Sequence, residues 1–546
     1  MSWWDERSPA RPVTVEVASN GSESVDKNAA PEGSSKNTKE SKAAKKAERA
    51  AQRGKPQAVT QPEAGDPLGS QYGDTQLIQS RTQAAETYLS ITSLSEEQNT
   101  QIALIRGRVH TVRGKGKSCF MVLRQGSATV QAILFVDDKT VSKGMVKYAS
   151  NLPRESIVDV SGEVHVPDAP VAGCTCSKVE LKVRSIRCVS RADGLPFELA
   201  DAMRSEEDLK REDAQFSTVQ QDTRLENRWI DLRTPVNQAI FRVQSAVCQL
   251  FREALLSEGF QEIHTPKLIA GASEGGAAVF KLDYIGQPGC LAQSPQFYKQ
   301  MAICSDMPRV FEIGPVFRAE KSFTHRHLCE FTGLDFEMTI NQHYNEVLDM
   351  LDHLFVYMFN GLKKHCAAEL STIAEQFPVQ PLQYLPKTLR LSFQEGMKLL
   401  QQAGFEPDVM GDMTTELERE LGKIVKEKYK TDFYVLYRYP LAVRPFYTMP
   451  DPEDKRYSNS FDVFIRGEEI ISGAQRVHDP ALLTERAKVH EIPLESIQSY
   501  INSFKYGAPP HGGLGVGLER VVMLFCGLDN IRKTSLFPRD PKRLTP

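Results

Sequence analysis

The sequence predicts an α+β protein: a five-stranded β-barrel, then a larger domain with a mainly antiparallel sheet flanked by helices, behind a basic N-terminal extension. Three observations carry that expectation. Apolar residues alternate with a period of two from Ile102 to about Ser190. Long helical stripes, such as Ile240, Val243, Val247, Leu250, Phe251 and Leu255, appear beyond residue 235. The strand-like segments mixed with those helices lack a regular βαβ alternation, which favours antiparallel pairing. With 546 residues, 40% hydrophobic and 25% charged, the chain has the composition of a globular protein of several domains.

Residues 1–75 are rich in Ser, Ala, Gly, Pro, Lys and Glu, and bury too little surface to offset chain entropy, so they are expected to be largely disordered in isolation. Within them, near 41–53, Lys42, Lys45, Lys46, Arg49 and Arg53 recur at helical spacing opposite Ala43, Ala47, Ala50 and Ala51. Eight Lys or Arg stand against two Glu between Lys36 and Lys55, although the whole chain has a net charge of -3. Attraction to a polyanion is therefore expected to be local. So short a helix is marginal alone and would form best on an anionic partner; a solvated linker or a nuclear-type basic tract is the bland alternative.

Residues 76–190 form the expected barrel. IALIRGRVH, SCFMVLRQ, ATVQAILFV, SIVDVSGEVHV and VELKVRSIRCV read as strands, and VSKGMVKYASNL, after the third, as a short helix. That order is the one of an OB-fold, whose strands and loops bind oligonucleotides. Phe120, Arg124, Gln125 and Gln131 are the exposed candidates for stacking and hydrogen bonding, against the alternative that Phe120 is core. A polar connector covers 191–235. The large domain, 236–546, opens with the helix NQAIFRVQSAVCQLFREALLSEGF, and QEIHTPKL follows as a strand closed by Pro266.

Ten cysteines are scattered without a C-x-x-C pair, which points to a reducing compartment. The N-terminus lacks a signal-peptide core and no apolar run is long enough to span a bilayer, so a soluble intracellular protein is expected. His325, His327 and Cys329 alternate, yet no fourth ligand is obvious.

The C-terminal HGGLGVGLERVVMLF invites a dinucleotide fingerprint, but about thirty residues remain after it, too few for the βαβ unit required. There is no P-loop, no G-x-S-x-G elbow and no H-E-x-x-H helix. Phosphate chemistry without a P-loop needs arginines for charge, carboxylates for magnesium and a flat clamp for a base. FRAEKSFTHRHLCEF supplies Arg318, Arg326, His327 and Phe331. Glycines beside Arg520 would admit a phosphate to the backbone. Asp462 and Glu469, seven residues apart on an extended hairpin, could converge on one metal.

Together with HTPKL, SEGGAAVF, QSPQFYKQ and GEEIISGAQRVHD, FRAEKSFTHRHLCEFTGLDFEM and GLGVGLERVVM make the chain resemble a class II aminoacyl-tRNA synthetase, and within that class the aspartyl-tRNA synthetases of archaea and the eukaryotic cytoplasm. The resemblance runs from about Ile102 to the C-terminal PRDPKRLTP. It implies activation of L-aspartate by ATP and transfer to tRNA-Asp, with Mg2+, in a cytoplasmic homodimer whose interface includes Pro266. Arg318, Glu320 and Arg520 take the catalytic roles. The implied ATP site comprises Arg318, Ala319, Glu320, Arg326, His327, Leu328, Phe331, Glu469, Gly517, Leu518, Glu519 and Arg520, with Phe331 stacking on adenine. Asp462 and Glu469 would hold magnesium. Glu274, Ser294, Gln296, Phe297, Tyr298, Lys299, Arg318, Asp335, Ser472 and Arg476 would bind aspartate, Lys299 and Arg476 holding its side-chain carboxylate. Phe120 and Gln131 would meet the anticodon, and the helix with Lys42, Lys45, Lys46 and Arg49 would add tRNA affinity. The nearest alternative is an asparaginyl enzyme on the same scaffold, and Lys299 and the string GLDFE speak against it. A non-catalytic paralogue would be marked by loss of Arg318, Arg520 or Glu469, all of which are present.

Overall fold

Gly116 and Gly126 open the barrel's account, because each sits in a two-residue link between strands with φ of +60° and +57°. Tight hairpins require that left-handed backbone, and glycine adopts it without strain. The computed structural model describes residues 62–546 apart from 82, 84–85, 212–215 and 272–278. Lys42, Lys45, Lys46, Arg49 and Glu274 lie outside the described residues.

The strands are β1 (Ile102–Lys115), β2 (Ser118–Gln125), β3 (Ala128–Phe135), β4 (Ile157–His165) and β5 (Glu180–Ser190), with helix α1 (Lys143–Ser150) after the third. Ser142 caps α1 by accepting from Met145 N. The sheet runs β5, β3, β2, β1, β4, and β5 also pairs with β4; Tyr72–Asp74 adds a short parallel strand to β5, ahead of the boundary expected at residue 76. Alternate residues such as Val109, Leu123, Val130, Val160 and Ile186 are fully buried, as a period of two demands. Among the described residues, four short helices occupy the expected polar connector.

The large domain is built on eight strands: β6 (Gln261–Glu262), β7 (Arg309–Phe317), β8 (Glu330–Thr339), β9 (Leu389–Ser392), β10 (Phe433–Tyr437), β11 (Ser460–Ile465), β12 (Glu468–Gln475) and β13 (His511–Gly517). Their order is β9, β10, β11, β12, β13, β8, β7, β6, antiparallel except at the two edges. Helices α2 (Pro235–Ser257) and α4 (Asn345–His365) share one apolar core with the sheet, where Val247 and Phe251 meet the same cluster as Phe355, Phe359 and Phe336. Three further helices matter below: α3 (Gln296–Ile303), α5 (Thr415–Tyr429) and α6 (Leu518–Phe525). Since Phe336 on β8 points into this core, its neighbours Asp335 and Glu337 project from the opposite face, where the cleft lies.

QEIHTPKL does not form one strand. Only Gln261–Glu262 pairs with β7, while Leu268–Ile269 joins a separate small sheet. Pro266 between them has no N–H to give a ladder, and it is exposed.

Candidate active site

A cavity of about 360 Å3 opens on the face of β8, β12 and β13. Ser294, Gln296, Arg318, Glu320, Arg326, His327, Leu328, Phe331, Asp335, Glu469, Ser472, Arg476, Gly517, Glu519 and Arg520 all line it. Segments more than two hundred residues apart in sequence thus meet as expected.

One end is cationic. The loop leaving β7 folds back as Arg318 N donates to Cys329 O (2.9 Å), and Cys329 N donates to Arg539 O (2.8 Å). This sets the Arg318 guanidinium 5.5 Å over the Phe331 ring. Arg520, on the first turn of α6, donates to Glu469 O (2.8 Å) and to Arg326 O (3.3 Å). Burial lowers its pKa, and Glu469 opposes that shift. Arg326 pairs with Glu418 on α5 at 2.7 Å. Burial, with Arg520 next, pushes His327 down to about 4, so it is neutral at pH 7, and its Nδ1 lies 2.7 Å from Thr324 Oγ1. Glu320 accepts from the Ser322 hydroxyl (2.6 Å) and backbone N–H (2.9 Å), which hold it below the usual carboxylate range.

Glu469 is the contested group at this end. Burial and the nearby charge of Asp462 raise its pKa to about 7. Asp462 itself is gripped by Arg444 through both oxygens, at 2.8 and 2.6 Å, and Arg444 also reaches Ser472 Oγ (3.0 Å) and lies 3.9 Å over Tyr439. Glu469 lines the cavity and Asp462 does not. Glu519 accepts from Thr332 N at 3.1 Å and is raised to about 7 by burial, so it braces β8 as well as facing the cavity. Leu518 packs into the core, and Ala319 is half-buried beside the cavity-lining residues.

The other end is deeper and its charges are paired. Lys299 Nζ donates to Asp335 Oδ1 (3.0 Å) and Leu514 O (2.9 Å) and lies 3.3 Å from Glu337 Oε2. Arg476 Nε donates to Glu337 Oε1 (2.9 Å) and Nη2 to Oε2 (3.3 Å). Burial pulls Glu337 upward, but Arg476 and Lys299 together hold it below its ordinary pKa. Gly513 and Gly515 on β13 make room for these carboxylates: a Cβ on Gly513 would collide with Glu337, and one on Gly515 would stand 2.9 Å from Asp335 Oδ1. Close packing on Glu337 and Asp335, in addition to any phosphate, accounts for the glycine-rich run. Of the remaining α3 residues, Phe297 stacks on Tyr500 at 4.3 Å in a satellite apolar cluster, and Tyr298 is half-buried; neither lines the cavity. Lys299 also lies behind the wall, so of these two cations Arg476 is the one that lines the cavity.

Glu337, Arg444 and Glu418 were missed as site residues. Glu337 had a signal, since it alternates with Asp335 in GLDFE and so shares its face. Arg444 and Glu418 had none, because their partners lie across sheet and loop.

On the barrel, Phe120 is 39% exposed and packs edge-on against Phe135, 51% exposed, at 5.6 Å. Phe120 is therefore not core. Gln131 is half-buried and donates to Glu180 at 2.8 Å. Arg124 is buried in an ion pair with Glu155, and Gln125 binds Ile91 N and Arg106 O, so neither is an exposed contact as expected.

Residues 220–541 match the family of tRNA synthetases class II (D, K and N), and residues 103–189 match the OB-fold nucleic acid binding domain. The chain is 56% identical over 490 residues to aspartate–tRNA ligase 1, cytoplasmic, of Arabidopsis thaliana, a match covering 89% of this chain and 91% of that one. It is 53% identical over 484 residues to the cytoplasmic aspartate–tRNA ligase of Homo sapiens, covering 88% and 96%. The solved aspartyl tRNA synthetase from Entamoeba histolytica superposes with a TM-score of 0.81 at 43% identity, covering 90% of this chain and 99% of that one. At such identity over most of its length, the chain belongs to the class II aminoacyl-tRNA synthetases and, among them, to the aspartyl-tRNA synthetases.

Proposed function

We propose that this chain activates L-aspartate with ATP and then charges tRNA-Asp. The observation that carries the reading is one cleft with two unlike ends: a guanidinium-over-ring platform, Arg318 on Phe331, and a deep pocket faced by Arg476. The first suits an adenine and an α-phosphate, the second a side-chain carboxylate.

In the first step the aspartate α-carboxylate attacks the α-phosphorus of ATP, and diphosphate leaves. Arg318 neutralises charge on the phosphate in flight, and Arg326 and Arg520 receive the departing end. In the second step the terminal ribose hydroxyl of the tRNA attacks the activated carbonyl, and AMP leaves. Positioning and charge neutralisation suffice, so no side-chain nucleophile is needed. Glu320 and Phe331 orient the base, and Ser294, Gln296 and Ser472 surround the amino acid.

Among the described residues no cluster of three or more His, Cys, Asp or Glu side chains makes a metal cage, and Asp462 is turned to Arg444. Glu469, which lines the cavity, suits a magnesium ion that takes one or two carboxylates and the rest of its oxygens from phosphate. Magnesium would be held by Glu469, with Asp462 behind it, and would neutralise phosphate charge when bound. Phe120 and Gln131 would meet the anticodon, and Lys42, Lys45, Lys46 and Arg49 would add sequence-independent affinity for the tRNA. The exposed Pro266 segment would pair two copies as a homodimer. The relatives are named cytoplasmic, and we place this chain in the same compartment. No helix among the described residues is long and apolar enough to cross a membrane.

The test is ATP–pyrophosphate exchange with aspartate, asparagine or lysine, without tRNA. Exchange with aspartate alone is expected. Exchange with asparagine would overturn the role given to Arg476, and none at all from folded protein would overturn the adenylation reading.

A further inference from the structure

At the junction of barrel and large domain lies a buried carboxylate that the chemistry above does not use. Glu155, in the loop between α1 and β4, is 3% exposed. Its φ is +68°, a left-handed backbone that a residue with a Cβ avoids unless its surroundings enforce it. Three arginines enforce it. Arg124 on β2 donates to both carboxylate oxygens at 2.8 Å. Arg233, in the turn before α2, donates to Oε2 at 2.9 Å. Arg108 on β1 lies 3.9 Å from Oε2 and donates to Glu155 O at 3.0 Å.

One carboxylate therefore ties two barrel strands, one of them bearing Phe120, to the root of α2 in the catalytic core. The neighbouring Ser156 Oγ accepts from Ala192 N at 3.0 Å, where the connector begins. On the far side, Arg228, at the start of the short helix Arg228–Asp231 that leads into this turn, donates to Ser535 O (2.8 Å) and Leu536 O (2.9 Å). Arg532 in that segment donates to Thr324 O (2.9 Å), in the loop that presents Arg326. Three guanidinium groups gathered around one carboxylate repel one another, so Glu155 is what allows them to converge at this joint. A stabilising contact needs neither the strain nor the charge, since apolar residues stabilise such a position at least as well.

We propose that Glu155 is a positioning residue for tRNA: it sets how the barrel is held against the large domain, and with it the span from an anticodon at Phe120 to a 3′ end in the cleft. The inference rests on the charging reading above. Its test uses Arg233→Gln in the full chain, which removes the ion pair from Glu155 to the large domain and leaves Arg124 paired with Glu155. Aspartate-dependent pyrophosphate exchange and the melting temperature are expected to stay at wild-type values. Charging of full-length tRNA-Asp should fall about tenfold in kcat/KM, chiefly through KM, the size of an ordinary coupling between sites. Charging of an acceptor-arm hairpin without an anticodon should not change, and Arg233→Lys should recover much of the loss. Unchanged charging of full-length tRNA, or an equal loss on the hairpin, would overturn the proposal. Should wild-type protein charge neither RNA, the charging reading itself fails, and the role of Glu155 with it.

Discussion

The two ends of the cleft hold comparable numbers of charged side chains in opposite states. At the deep end Lys299 and Arg476 are met one for one by Asp335 and Glu337, and Lys299 Nζ has three oxygen neighbours within 3.3 Å. At the outer end Arg326 is met by Glu418 and Arg520 donates to the Glu469 backbone carbonyl, while the Glu469 side chain, raised to about 7 by burial and Asp462, is partly protonated at neutral pH. Desolvation explains the difference. A buried cation without a partner costs several kcal/mol, so the deep end carries its counter-charges in the fold. At the outer end burial and Asp462 instead hold back the ionisation of Glu469, which leaves less negative charge to oppose a phosphate. On the proposed reading, selectivity at the deep end would depend on how a substrate carboxylate fits a network already balanced, rather than on two bare cations awaiting one. Arg476, the one of the two cations that lines the cavity, would make that contact.

Breaking the deep end should have the largest effect. Glu337→Ala leaves Lys299 and Arg476 buried without their shared carboxylate, with an expected cost of about 3–5 kcal/mol in urea unfolding. A loss below about 1 kcal/mol there would mean that the two ends do not differ as described. Arg520→Ala strikes the outer end, where the proposed reading has its charge receive the phosphates of ATP. Pyrophosphate exchange should drop about 100- to 1000-fold in kcat, the scale of one lost charge-stabilising donor. Aspartate KM and folding stability should change little. A rise in aspartate KM instead would erase the boundary between the ends.

Phe120→Ala lies away from both and sharpens the contrast. Loss of one base-stacking ring should weaken tRNA charging by about 1–3 kcal/mol while exchange stays intact. The smallest expected effect is on pH dependence. Glu469 and Glu519 both have folded pKa values near 7, above the ordinary carboxylate value of an unfolded chain. The folded state therefore binds more protons than the unfolded one, and stability declines as pH rises from about 4.5 through 7. Glu469→Gln should flatten the decline by about 1–2 kcal/mol between pH 5 and 8, followed by denaturant titration at each pH. An unchanged slope would show that Glu469 is an ordinary solvated carboxylate.

Much of this architecture was legible in one dimension. The barrel strands follow from alternation and the helix after the third from its sequence, because each signal is local. Arg318, Phe331, Glu469 and Arg520 were recognisable from their motifs, and the fold brings them to one cavity. Arg124 and Gln125 misled for the converse reason: a period of two assigns a residue to a face but does not say what covers that face. For Arg124 the cover is Glu155, 31 residues away.

Which charges are paired was decided by strand register and loop packing. Lys299 meets Leu514 O across 215 residues, Arg476 meets Glu337 across 139, and Arg326 meets Glu418 across 92. Local sequence establishes that a charge exists and which way it points. Whether it is neutralised depends on what the sheet lays beside it, and electrostatics at 3 Å is set by that neighbour. The sequence therefore specifies the charged and aromatic side chains that line the cleft of this synthetase, while the balanced pocket, the arginine grip on Asp462 and the joint at Glu155 exist only in the folded chain.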